Sequence, residues 1–129
     1  TYQTGIVGNS FVDTNLGNGA TFFYKVTAAS PLGESGRSEE ASATTTSFPA
    51  TPSNQTVEEV GAQSLILRWQ LNSTNETGVR ILRRAGFTGT FITAAVLPAG
   101  ATSYLDTNLV PGETYSYHIQ AFNDLGFAD

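Results

Sequence analysis

Cysteine is absent from these 129 residues, and histidine and tryptophan occur once each, as His118 and Trp69. Without thiols the chain has no disulfide, no thiolate nucleophile and no thiolate-held zinc, although the compartment stays open. Charge is scarce too, at 13% of the chain, which argues against a disordered polyelectrolyte. Six basic residues stand against eleven acidic ones, and the net charge of −5 disfavours nucleic acid and anionic membrane as partners. No apolar run approaches the roughly 20 residues that span a bilayer, so membrane insertion is not expected. A helical apolar period of useful length is also missing.

What is present is period-2 alternation. Leu65, Leu67 and Trp69 alternate with Ile66, Arg68 and Gln70, and Val79 and Ile81 with Arg80 and Leu82. Tyr115, Tyr117, Ile119 and Ala121 alternate with Ser116, His118 and Gln120, and an earlier run reads Phe22, Tyr24, Val26, Ala28. Each run reads as a strand with one face on a core. Turn residues punctuate them at 72–78, 86–89, Pro98-Ala-Gly100 and Pro111-Gly112. Short strands with regular turns predict an all-β, antiparallel Greek-key sandwich.

Residues 10–35 recur at 103–128 without a gap, an offset of 93 positions. Ser10, Asp13, Thr14, Asn15, Leu16, Gly19, Thr21, Tyr24, Ala28, Leu32 and Gly33 return as Ser103, Asp106, Thr107, Asn108, Leu109, Gly112, Thr114, Tyr117, Ala121, Leu125 and Gly126. The period is that of a small domain and is too long for a solenoid unit, so tandem modules are expected. A boundary is expected at residues 44–53, where Pro49 and Pro52 would stiffen a semi-extended linker. The predicted modules are therefore 1–48 and 49–129.

The stretch from Leu109 through Pro111-Gly112, Tyr115, Tyr117, Ile119, Ala121 and Asn123 to Gly126 resembles the E–F corner and F strand of the fibronectin type III family. Trp69, closing Ser64-Leu-Ile-Leu-Arg-Trp69, matches the single Trp of that family's B strand. The resemblance implies an immunoglobulin-like sandwich, with Trp69, Leu109, Tyr115, Tyr117, Phe22 and Tyr24 as structural core. Tyr115 takes the tyrosine-corner position, where a packed ring bonds backbone a few residues upstream. Phe22 holds that place in the first copy and lacks the hydroxyl. On the family's register, residues 1–48 supply the E, F and G positions, with F at 21–30 and G at 38–46. Residues 49–129 supply A to F and lack most of the last strand, leaving the F edge open. Either adjoining sequence or a strand donated by another subunit would close it.

Catalysis finds little support. His118 lies out of phase with the core residues of its strand and should face solvent. Glu39-Glu40 and Glu58-Glu59 are adjacent pairs whose side chains point to opposite strand faces, so neither forms an acid–base dyad. Asp106-Thr-Asn108 and Asn123-Asp124 offer hard oxygens without the spacing of a known calcium loop. Asp13 and Asp106 instead read as turn residues bonding their own backbone. No catalytic residue, metal or cofactor is expected. Arg80, Arg83 and Arg84 read as an edge strand blunted by charge, or as the footprint of an anionic partner. Asn54, Asn72 and Asn75 head three N-glycosylation sequons, which matter in a secreted chain.

These features predict non-catalytic extracellular modules, secreted or at a cell surface, that act as a rigid spacer or adhesion array in a larger protein. Their partners would be neighbouring modules, identical subunits, or a protein or polysaccharide ligand. One alternative is the subunit of an extracellular filament or appendage. Another is a carbohydrate-binding accessory module of a polysaccharide-degrading enzyme.

Overall fold

In the computed structural model, residues 3–128 are described, and they divide into two compact units, 1–46 and 47–129. The stretch expected as a linker belongs to the second unit from Ser47 onward. Pro49 and Pro52 are buried there rather than solvated. The Ser47 carbonyl accepts from the side-chain amides of Asn75 and Asn123, and the Ala50 N–H donates to Ser73 Oγ. Side-chain hydrogen bonds thus dock the prolines' segment instead of leaving it free.

In the first unit, β1 (Thr21–Tyr24), β2 (Ala29–Ser30), β3 (Gly33–Glu34) and β4 (Ala41–Thr44) form one antiparallel ribbon in two ladders, β1–β4 and β2–β3. The pairing Tyr24 with Ala41 and Ser30 with Gly33 sets six residues of one strand against eight of the other. Two residues of slip must be absorbed between these ladders. Ser38 and Ser35 absorb them, their hydroxyls accepting from the Val26 and Ala28 N–H groups. This is why the single strand expected at 21–30 is split. Phe22 and Tyr24 are half-buried, not enclosed, since no second sheet covers the ribbon among the described residues of this unit.

The second unit holds β5 (Ser53–Gly61), β6 (Ser64–Gln70), β7 (Gly78–Ala85), β8 (Ile92–Pro98), β9 (Ser103–Asp106), β10 (Tyr115–Asn123) and β11 (Gly126–Phe127). Its sheets run β5-β6-β9 and β11-β10-β7-β8, and every pairing is antiparallel. The chain crosses between sheets after β6, β8 and β9, which is a Greek-key sandwich. Alternate residues of both sheets face inward, and Leu67, Trp69, Val79, Ile81 and Ile119 form the buried cluster. Trp69 is 6% exposed, and its indole N–H donates to the Ala101 carbonyl at 2.8 Å, so the largest ring is packed and polar-satisfied together. Leu109 is buried, while Tyr115 and Tyr117 are half-buried.

One sequence expectation changes. The strand carrying Arg80, Arg83 and Arg84 lies between β10 and β8, so it is interior and has no edge to blunt. Of the last strand the described residues hold the two-residue β11, paired with β10 at Phe122–Phe127 and Asn123–Gly126. Among the described residues the rest of β10's outer edge is unpaired.

Trp69→Ala should lower the unfolding free energy of the second unit by about 3–5 kcal/mol, through lost burial plus a cavity. Urea denaturation followed by far-UV circular dichroism checks this.

Candidate functional site

The 93-residue repeat proves to be a repeat of hydrogen bonds. β2 pairs with β3 at Ala29–Glu34 and Ser30–Gly33, and β10 with β11 at the four positions 93 residues on. Gly33 and Gly126 have φ of 137° and 122°, a region that excludes most side chains. Ser30 Oγ accepts from the Leu32 N–H, and Asn123 Oδ1 from the Leu125 N–H. Asn15 and Asn108 share a left-handed φ of 60° and 59°. Identities in the repeat therefore mark backbone positions that tolerate few residue types.

The recurring aspartates do something their sequence context does not reveal. Tyr24 donates to Asp13 Oδ2 at 3.1 Å, and Tyr117 to Asp106 Oδ2 at 2.8 Å. Neither carboxylate serves its own turn as expected, because a tyrosine hydroxyl eleven residues downstream reaches it across the fold. In the second unit Arg83 adds an ion pair, its single Nη1 lying 2.8 and 2.9 Å from the two Asp106 oxygens. Asp106 is 2% exposed, so the carboxylate is buried with three charge-assisted bonds. The pair joins β7 of one sheet to β9 of the other. Nearby, the Tyr115 hydroxyl accepts from the Val110 N–H at 3.0 Å, the geometry of a tyrosine corner. The Arg83 guanidinium also lies 5.6 Å from the Tyr115 ring centre.

These contacts leave electrostatic marks. Burial, then the Asp106 bond and charge, push the Tyr117 hydroxyl well above its ordinary value of 10.0. Tyr104 is raised by burial and by the Asp106 charge. Burial works to lower the Arg83 guanidinium, but Asp106 overcomes it and the group ends above its usual value.

The hard oxygens considered for calcium are otherwise engaged. Both Asp106 oxygens are bonded as above, and the Asn123 side chain bridges Ser47, Asn75 and Leu125. Among the described residues no cluster of three or more His, Asp or Glu forms a metal cage. The three sequon asparagines differ in freedom. Asn72 Nδ2 donates twice, to the Thr51 carbonyl and to Ser53 Oγ. Asn75 is half-buried and donates to the Ser47 carbonyl. Asn54 is exposed and donates to the Gln70 side chain.

The outer face of the four-stranded sheet is the last cluster. Arg80 lies 5.5 Å from the Phe122 ring centre and 5.9 Å from that of Phe127. Arg84 lies 4.7 Å from Phe91, whose ring centre is 4.2 Å from that of His118. Gly78 makes this packing possible, since a Cβ there would meet the Phe122 ring at 2.5 Å. His118 is exposed, and among the described residues no carboxylate is paired with Arg80 or Arg84.

Comparison with protein families matches the fibronectin type III domain over residues 50–129. The chain belongs to the fibronectin type III family. Among solved structures it is similar to the chicken CNTN1 FN1–FN3 domains, with 19% identity and a TM-score of 0.60 over 91% of this chain and 41% of that one. A two-domain segment of chicken tenascin matches with 14% identity and a TM-score of 0.63 over 86% of this chain and 61% of that one. The FN3 domain of human collagen XX gives 23% and 0.54 over 63% of this chain and 82% of that one. At these identities the likeness concerns fold. The chain spans less than half of the CNTN1 segment and less than two thirds of the tenascin segment. Comparison with curated proteins found no match.

Asp106→Ala should cost about 3 kcal/mol, because the part-exposed Arg83 charge loses the one carboxylate partner it has among the described residues. Tyr117→Phe should cost about 1.5 kcal/mol for one charge-assisted bond. A tyrosine raised in the fold stays protonated where the unfolded chain has already released its proton. Its stabilisation is therefore complete below pH 10.0 and is lost as pH rises through the higher folded value. Stability curves should fall above about pH 10, and Tyr117→Phe should flatten that fall.

Proposed function

We propose that this chain is a non-catalytic spacing and adhesion element of a larger multimodular protein, working outside the cell. The observation that carries the reading is the recurrence of the same turn and Tyr–Asp bond, in the same register, 93 residues apart. Such hardware sets backbone geometry and activates no nucleophile, and modules of this family generally serve as scaffolds. The absence of cysteine leaves stability to packing and to the buried ion pair, which suits any redox compartment. No helix of the described residues is long and apolar enough to cross a membrane. Neighbouring modules of the same protein are the expected partners. Fractionation of the producing cells with an antibody to this chain should find it in the medium or protease-accessible at the surface. Recovery solely from the protected interior overturns the reading.

If the chain passes through a glycosylating pathway, Asn54 is the sequon best placed for a glycan. It is exposed and would give up a side-chain bond, whereas Asn72 would lose bonds that dock the Thr51–Ser53 backbone. The mass added by a eukaryotic secretory host should vanish in Asn54→Gln and persist in Asn72→Gln.

A further inference from the structure

We propose that the outer face of the four-stranded sheet is a docking surface for a uronate-bearing polysaccharide, with Arg80 and Arg84 as its carboxylate contacts. The proposal deepens the adhesion reading above and rests on it.

Charge comes first. Arg80, Leu82 and Arg84 of β7 and Ser116, His118, Gln120 and Phe122 of β10 alternate with the buried residues of their strands, so they share the outer face. None is acidic, although acidic residues outnumber basic ones eleven to six in the chain. Among the described residues, two guanidiniums without carboxylate partners, on outward strand positions free of Asp and Glu, constitute a cationic island in an anionic molecule.

Preorganisation comes next. Each guanidinium lies against aromatic rings, Arg80 on Phe122 and Phe127 and Arg84 on Phe91. Stacking holds the plane and leaves the in-plane N–H groups as the donors. That fork matches a planar carboxylate, and contact with the rings lessens the ordering that binding still requires. Four residues of strand separate the two arginines by about 13 Å, a span that suits charges carried along an extended chain.

Shape and net charge select the occupant. Protein hot spots are buried aromatic anchors seated in pockets. Two recesses among the described residues open elsewhere, one lined by Ala28–Ser35 residues and one near Glu59, Leu109 and Tyr115. On the neighbouring strand Ser116 lies opposite Arg84 and Gln120 opposite Arg80, and this hydroxyl and this amide suit sugar hydroxyls. A net charge of −5 repels a dense polyanion, whereas a polyuronate with sparser charge is attracted locally at low cost.

The test titrates the full chain with polygalacturonate by affinity electrophoresis and calorimetry at low and physiological salt. Retardation that weakens with salt is expected. The double variant Arg80→Gln/Arg84→Gln should lose at least tenfold in affinity while keeping the parent's far-UV circular dichroism and a cooperative melt. Arg68→Gln, on the other sheet, should bind as the parent does. Arg84→Lys, which keeps the charge and the fold but loses the fork, should bind more weakly than the parent. The proposal is overturned by absence of retardation at low salt, by an equal loss in Arg68→Gln, or by tighter binding of dextran sulfate or polyglutamate than of polygalacturonate. Cell fractionation reads the adhesion role separately, so failure here leaves extracellular location standing.

Discussion

Arg83 reaches from one sheet to Asp106 on the other, and Tyr117 brings a third strand to the same carboxylate. A sandwich held by apolar contacts alone allows its sheets to slide, since dispersion is non-directional. A charged nitrogen shared between both oxygens of a buried carboxylate fixes the separation and the register together. Burial of the charge costs desolvation energy, and the three bonds offset it. What they contribute is position more than net stability. Around that fixed point the Tyr115 corner fastens the loop after β9, and Trp69 fills the space between the sheets.

The first unit shows which part of this arrangement is independent of a second sheet. Tyr24 and Asp13 keep their bond although Asp13 is exposed where Asp106 is buried. The hairpin turn keeps its register as well. The tyrosine, the aspartate and the turn glycine thus form a local unit along the chain, spanning 13–33 and again 106–126. Arg83 has no counterpart inside that unit, so the ion pair is an addition by a distant strand. Local hardware repeats with the sequence, and the cross-sheet clamp depends on the complete sandwich.

Fold class was legible because period-2 alternation and turn residues act locally. The family resemblance rested on residues whose spacing is imposed by one corner and one strand, and the matched family confirmed it. The aspartates were misread for a physical reason. Asp followed by Thr-Asn looks like a turn bonding its own backbone, whereas its actual donors lie eleven residues downstream and 23 residues upstream. The identity of Tyr24 with Tyr117 at the same offset was the one signal that could have paired them. Sheet order likewise hides from local pattern, which is why an interior strand carrying three arginines passed for an edge.

That strand also shows how alternation divides labour. Arg83 and Arg84 are neighbours in sequence and face opposite sides of one sheet. The inward one needs a buried carboxylate, and the fold supplies Asp106. The outward pair, Arg80 and Arg84, receives aromatic rings in place of counter-ions. A ring neutralises nothing. It shields one face of the cation from water and leaves the charge available, while adding about 0.5–1 kcal/mol of attraction at an exposed site. Gly78 is part of that provision, because Phe122 lies where any side chain at 78 would stand. If the arginines served only solubility, lysines free in solvent would do as well, and neither the glycine nor the rings would be needed. Holding a cation still without cancelling it is useful when a separate anion is to be met there.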